Sequence, residues 1–260
     1  PRIDSTEIVS IAELATKTIV QIQVGEVNEN DEFISLGGGS GVVISAEGLI
    51  ITNHHVIDGA NSVRAIFEDG RMYKAEIIGS DQLTDIGLVK IDSNNLIPIA
   101  IGNSDILVVG DLAVAIGHPL TLGAAPTVTT GIVSALERRL DVGGQDMSSS
   151  VTLFGLIQTD APITRGSSGG ALLNQNGELI GITTAIATAD VGAEGLGFAV
   201  PINLALNISQ DLLDDGKVYH SFLGILGAQH FEVADDGARI FSGVEIQELY
   251  GPANDIYAIG

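Results

Sequence analysis

Val63-Arg64-Ala65-Ile66-Phe67 and Met72-Tyr73-Lys74-Ala75-Glu76-Ile77-Ile78 are two apolar-rich runs that meet across Glu68-Asp69-Gly70-Arg71. Asp-Gly accepts the positive φ angles of a tight turn, so this stretch predicts an antiparallel hairpin. The signal repeats along the chain. Glu47-Gly48 separates Gly41–Ser45 from Leu49-Ile50-Ile51, and Asn176-Gly177 separates Ala171–Leu173 from Leu179–Thr184. From Thr18 onward, Val20, Ile22 and Val24 alternate with Gln21 and Gln23, the period-two pattern of a half-buried strand. Val27 to Glu32 reads as a polar loop, with Gly37-Gly38-Gly39 leading into the next strand. Short strands with turn signals at roughly ten-residue spacing imply an antiparallel sandwich or barrel rather than parallel strands with crossover helices.

Two segments break that pattern. Asp4-Ser5-Thr6-Glu7 has the polar-then-acidic character of a helix start, followed by Ile8, Ile11, Ala12 and Ala15 at helical spacing. Asn203 to Leu213 predicts a second helix, with Leu204, Ile208, Leu212 and Leu213 on one face and Gly216 just beyond its end. The remaining β structure, roughly 200 residues, is about twice what one small barrel uses, so two similar barrels in tandem are expected. Their seam is placed near Gly102–Gly110.

Composition narrows the function. The 260 residues are 45% hydrophobic and 17% charged, which excludes intrinsic disorder. Eleven Lys and Arg against 33 Asp and Glu give a net charge of −22, so phosphate backbones and anionic lipid would be repelled. Nucleic-acid and membrane-surface roles are not expected. Zero Cys excludes disulfides, thiolate metal sites and a cysteine nucleophile. His54, His55, His118, His220 and His230 show no ligand spacing beyond the adjacent pair, so neither a metal nor another cofactor is expected. No apolar run approaches the ~18 residues that span a bilayer. The chain opens on Pro1 with no signal peptide, and a preceding piece is expected to have been removed or left out.

The sharpest local feature is Gly166-Ser167-Ser168-Gly169-Gly170. Small residues on both sides let a serine sit exposed on a tight loop with backbone N–H groups converging on one point, the arrangement a developing oxyanion needs. Taken alone it reads equally well as an ordinary glycine/serine loop. A strand–serine–helix elbow is excluded, because a strand, the Asn176-Gly177 turn and another strand follow the serine. The order His, Asp, Ser finds candidates instead. Thr52-Asn53-His54-His55-Val56 follows the apolar run Leu49-Ile50-Ile51 and is read as closing that strand. Asp85 heads Ile86-Gly87-Leu88-Val89, where a carboxylate could fix an imidazole tautomer and stabilise its protonated form. On spacing alone Asp81 or Asp92 would serve as well, and His54 as well as His55.

These blocks resemble the HtrA/Deg family of serine proteases over about residues 8 to 225. The resemblance rests on Gly39-Ser40-Gly41-Val42-Val43, Leu49 to Asp58, Thr84 to Lys90, and Val114-Ala115-Ile116-Gly117-His118-Pro119. It continues through Thr127 to Leu136, Gln158-Thr159-Asp160-Ala161, Gly166 to Asn174, and Gly195 to Pro201. It implies an all-β fold of tandem six-stranded antiparallel β-barrels of chymotrypsin type, about residues 18–105 and 106–202, with a linking helix over 203–215. The catalytic triad it implies is His55, Asp85 and Ser168, with Gly166, Ser167 and Ser168 at the oxyanion hole. Ile163, Thr184, Ala185 and Ile186, with Pro162, are expected at the first specificity pocket. None is charged, so small or medium aliphatic residues are expected before the cut bond. Arg138 matches an arginine of the family's regulatory relay. Ser167 stands where the family commonly has Asn, and Thr164-Arg165 replaces a more usual Asn-Pro or Asn-Arg pair. No carboxylate is therefore available there to pair with a freed N-terminus, and loop ordering is the expected mode of activation.

Residues 1–217 are thus expected to form the protease domain. Residues 218–260 resemble the start of a PDZ domain, with Phe222-Leu223-Gly224-Ile225 as its carboxylate-binding loop and Gly251-Pro252-Ala253 as a later block. That domain is too short to close here, and the natural protein is expected to continue. The resemblance implies an ATP-independent endopeptidase acting on unfolded or misfolded proteins, with peptide C-termini as further ligands. It also implies a homotrimer located outside the cytoplasm (periplasmic, cell-envelope) or in an organelle. The competing readings are a non-catalytic chaperone or peptide-binding scaffold of the same fold, and a regulatory protease with one dedicated substrate.

Overall fold

The computed structural model describes residues 5–118, 125–142, 151–184, 196–221, 225–234 and 238–249. These fall in two compact units, residues 1–218 and 219–260. The first begins with helix α1 (Ser5–Ala15) and carries six strands, β1 (Ile19–Val27), β2 (Phe33–Val43), β3 (Leu49–Thr52), β4 (Ser62–Ile66), β5 (Met72–Asp81) and β6 (Ile86–Ile91). They close into an antiparallel barrel in the order β1-β2-β3-β6-β5-β4. A second set follows: β7 (Leu112–Gly117), β8 (Thr127–Val142), β9 (Val151–Thr159), β10 (Ala171–Leu173), β11 (Leu179–Thr184) and β12 (Gly197–Pro201). These close in the order β7-β8-β9-β12-β11-β10, the same topology repeated. The fold is that of tandem six-stranded barrels.

The hairpins form where turn chemistry placed them. Gly48, Gly70 and Gly177 have φ of 95°, 86° and 75°. At the second, Asp69 accepts from both the backbone N–H and the guanidinium of Arg71. Those bonds, the backbone one foremost, hold the Asp69 carboxyl below its ordinary range. The second strand is longer than its sequence pattern. β2 starts at Phe33 and runs through the Gly37–Gly39 triplet, because β1 pairs with it over its whole length, Gln23 opposite Gly38 and Val27 opposite Phe33. The later helix, α3, runs Ile202–Asp215, and Gly216 at φ 70° closes it.

Apolar runs such as Val42-Val43 and Ile50-Ile51 have a simple cause: both faces of these strands are buried. Val20, Ile22, Val43, Ile50 and Val89 pack inside the first barrel, and Ala113, Ala115, Val133, Ile157 and Leu172 inside the second. Their neighbours Ile19, Val42, Ile51, Ile86, Leu88, Val114, Ile116 and Ala171 belong to a third cluster that joins the barrels. Burying each such side chain contributes about 1.5–3 kcal/mol, so the barrels are bonded by core rather than by linker. Helix α3 adds Ala205, Ile208 and Leu212 to this shared layer.

The second unit is a two-stranded antiparallel hairpin, β13 (Ile225–Val233) and β14 (Arg239–Leu249), with Phe231 edge-on to Phe241. Phe222–Gly224 and Gly251–Ala253 lie outside the described residues. Among the described residues no helix is long and apolar enough to cross a membrane.

Candidate active site

The joining layer is capped by the polar side chains that the sequence singled out. His54 and His55 do not end a strand. They form one turn of helix, here α2 (His54–Ile57), between β3 and β4. The two rings accordingly part company. His54 Nδ1 lies 2.8 Å from Ser80 Oγ, whereas His55 Nδ1 lies 2.9 Å from each carboxylate oxygen of Asp85. An ionised carboxylate can only accept, so the His55 proton is placed on Nδ1 and the other ring nitrogen, Nε2, is left as an acceptor. Asp85 itself sits in the turn between β5 and β6 with φ 57°, a left-handed conformation unusual for a side-chain-bearing residue. It is only 3% exposed. Neighbouring strands β3 and β6, with Thr52 opposite Gly87, bring these two turns side by side.

Asp81, the spacing rival of Asp85, is used otherwise. Its carboxylate accepts from both the backbone N–H and the hydroxyl of Thr84, fastening the turn that delivers Asp85.

Ser168 comes from the second barrel, in the turn between β9 and β10, and is 6% exposed. Its carbonyl accepts from Ser40 N–H of β2 at 2.7 Å. Ser40 is fully buried and acts as the seat of the whole turn. Its hydroxyl donates to Gly166 O at 2.8 Å while accepting from His118 N–H, and its carbonyl accepts from Thr52 Oγ1. Gly39 is needed beside it, since a Cβ there would stand 2.7 Å from Ser168 O and 2.8 Å from Val56 Cγ2. One glycine thus lies between the serine turn and the histidine helix. Gly169 has φ 82°, and any side chain on it would run into Ser40 O. Within the turn, Ser167 N–H donates to Thr164 O at 2.9 Å, so the residue between the two expected oxyanion-hole donors, Gly166 and Ser168, is engaged internally.

Adjacent residues at the end of β11 tie the halves together. Side chains alternate across a strand. Thr183 Oγ1 therefore donates to Ser167 O at 2.6 Å, while Thr184 Oγ1 donates to Asp85 Oδ2 at 3.0 Å. Thr184, expected in a specificity pocket, is 1% exposed with its hydroxyl on the carboxylate. Replacing it with valine keeps the shape and removes the donor. We expect Thr184→Val to fold normally and, in any reaction that His55 and Asp85 carry, to lose about tenfold in kcat/KM, since a hydrogen bond to a charged group is worth roughly 1.5 kcal/mol. Unchanged kcat/KM would show that the other donors suffice.

The remaining expected residues are more scattered. Ile163 is buried in the second barrel's core, and a Cβ on Gly197 would come within 2.6 Å of its Cδ1. Ala185 and Ile186 lie outside the described residues. Arg138, on β8, donates through Nε to Gln158 Oε1 at 2.8 Å, in a stretch where the β8–β9 register slips. Among the described residues no group of three or more His, Asp or Glu side chains is placed to hold a metal ion. Sequence reasoning missed the work of Ser40 and Thr184. Ser40 stood in a recognised Gly-Ser-Gly block, which marked the position without saying what it would hold.

Comparison with known proteins gives a consistent picture. Residues 39–182 match the trypsin-like peptidase domain. The chain is 49% identical over 208 residues to a probable periplasmic serine protease do/HhoA-like of Haemophilus influenzae, covering 79% of this chain and 42% of that protein. It is 48% identical over 211 residues to the periplasmic pH-dependent serine endoprotease DegQ of Escherichia coli, covering 79% of this chain and 43% of that one. The chain thus spans about two fifths of the length of these curated relatives. Among solved structures, the HtrA-type protease AlgW with a tripeptide superposes with a TM-score of 0.77 at 34% identity, over 94% of this chain and 77% of that one. The serine endoprotease from Yersinia pestis superposes at 0.72 and 34% identity, over 95% and 77%. With twin barrels, a carboxylate-bound histidine and a seated Gly-Ser-Ser-Gly-Gly turn already in place, the chain belongs to the HtrA-type proteases of the trypsin-like peptidase family.

Proposed function

We propose that this chain is the proteolytic part of an ATP-independent serine endopeptidase that cuts unfolded or misfolded polypeptides. The observation that carries the reading is the contact between His55 Nδ1 and both oxygens of the buried Asp85 carboxylate at 2.9 Å. That contact leaves Nε2 to take a proton. Ser168 Oγ attacks the scissile carbonyl carbon as its proton passes to His55 Nε2. The oxyanion so formed takes hydrogen bonds from the N–H groups of Gly166 and Ser168, with Ser167 serving the turn between them. The imidazolium then returns the proton to the leaving amine nitrogen as the C–N bond breaks, leaving an ester on Ser168. Water, giving a proton to the same Nε2, attacks that ester, and Ser168 leaves with the proton restored to its hydroxyl.

Pro162 and Ile163, with Ala185 and Ile186, line the first pocket in this reading. Its uncharged walls favour Val, Ala, Ile or Leu before the cut bond, because a charged side chain would be buried unpaired. Arg138 acts in ordering the oxyanion turn, and residues 218–260 begin a PDZ domain that takes peptide C-termini. The periplasmic relatives support an extracytoplasmic location, and a homotrimer is the assembly proposed.

A fluorophosphonate probe tests the reading, because it reacts with a serine whose hydroxyl is activated as a nucleophile and spares ordinary serines. The wild type is expected to be labelled, with or without added peptides bearing free C-termini, and a peptide panel is expected to be cut after small aliphatic residues. No labelling even with those peptides present would hand the case to the non-catalytic scaffold, and preferred cutting after Arg or Lys would overturn the pocket assignment.

A further inference from the structure

Asn53 occupies the N-cap of α2, where an asparagine ordinarily turns its side-chain oxygen onto the helix's own free N–H groups. Here it does not. Asn53 makes no side-chain capping bond, and its Oδ1 is buried without a donor among the described residues. The amide nitrogen instead reaches across to the main-chain carbonyl of Asp85 at 2.8 Å. Asn53 is fully buried, so leaving its oxygen unpaired is costly. A residue that served only to start the helix would not be held this way.

The capping is supplied from the other side. His55 N–H, which an N-cap side chain would normally serve, donates to Asp85 Oδ1 at 3.1 Å. His54 N–H donates to Asp85 O at 3.2 Å, alongside the Asn53 amide. The carboxylate that orients the His55 ring therefore also caps the helix that bears it. Its backbone, with φ 57°, is pinned in turn by the residue that gave up the cap.

We infer that Asn53 is a positioning residue for the proposed protease reaction: it fixes the Asp85 turn so that the carboxylate meets both the ring and the backbone of His55. The inference rests on the assignment of His55 and Asp85 as base and orienting acid. Loss of the Asn53 amide would let the Asp85 turn relax and the carboxylate drift from the imidazole. Misplacement of about 1 Å costs on the order of 10²-fold in rate.

Two substitutions separate this role from capping. Serine is as good an N-cap as asparagine but too short to reach Asp85 O, and it removes the orphaned oxygen. Aspartate is an equally good cap of nearly the same shape, yet it presents a carboxylate to the Asp85 carbonyl. The experiment measures thermal unfolding, the rate of fluorophosphonate labelling, and kcat and KM on fluorescent casein for wild type, Asn53→Ser, Asn53→Asp and the control Ser168→Ala. Expected is a folded Asn53→Ser whose labelling rate and kcat fall about 10²-fold with KM little changed, and an Asn53→Asp that is worse still. The downfield proton resonance of the His55–Asp85 bond should weaken or shift in both. Wild-type labelling and kcat in Asn53→Ser would overturn the inference while leaving the triad standing, as would rescue by Asn53→Asp if the serine variant does not fold. A wild type that does not label would instead overturn the triad, and this inference with it.

Discussion

Ser168→Ala should abolish casein cleavage, with turnover falling on the order of 10⁶-fold, the cost of losing the nucleophile in serine proteases of unrelated fold. The loss should be confined to chemistry. Ser168 is held through its main-chain carbonyl, which accepts from Ser40 N–H, and the flanking turn is held by the Gly166, Ser167 and Gly169 backbone. Alanine preserves every one of those bonds. The variant should therefore fold with an unfolding midpoint close to that of the wild type, refuse the fluorophosphonate label, and still bind unfolded substrate. Turnover within an order of magnitude of wild type would mean that another nucleophile carries the reaction, and the assignment of this site would fall.

Asp85→Asn should cost on the order of 10⁴-fold in kcat at neutral pH without unfolding the protein. Asparagine tolerates the left-handed backbone that Asp85 adopts at φ 57°, so the turn is not strained by the change. Its Oδ1 can still accept from His55 N–H or Thr184 Oγ1. What changes is the remaining atom. An amide nitrogen donates where a carboxylate oxygen accepted, so His55 must turn an unprotonated Nδ1 toward it and carry its proton on Nε2. That tautomer cannot take the proton of Ser168. A variant within tenfold of wild-type kcat would show that the imidazole is oriented by something other than residue 85.

The parts of this architecture readable from the chain were those fixed by near neighbours. Asp69-Gly70 and Asn176-Gly177 announce their hairpins because turn chemistry is settled within four residues. Ser168 stood in a glycine-rich block of distinctive composition, but His55 over His54, and Asp85 over Asp81 or Asp92, were singled out only by the family resemblance. Helix α2 was not readable. Four residues, His54 to Ile57, show no helical period, and the residue at its N-cap points its side chain elsewhere. Ser40 and Thr184 were illegible for a different reason. Their partners lie 126 and 99 residues away in sequence, and nothing in a Gly-Ser-Gly or a strand-end threonine says what will be folded against it. The β8–β9 hairpin was hidden by its own irregularity, since register shifts near Ala135, Arg138 and Leu140, with Glu137 at φ 55°, interrupt the alternation that marks a strand.

The two barrels share one topology, yet the proposed reaction divides its chemistry between them: acid and base on the first, nucleophile on the second, with Ser40 and Thr184 each reaching across. Neither half carries a usable fragment of the reaction. A duplicated fold of this kind gains function only at the contact between its copies, so activity serves as a reporter of their docking. Any perturbation that slides one barrel over the other, however well each keeps its own core, unseats the serine from Ser40 and frees Asp85 from Thr184 together. Because one apolar layer is shared by both barrels, their docking and that part of the core are lost together, and activity should fade with the fold rather than ahead of it.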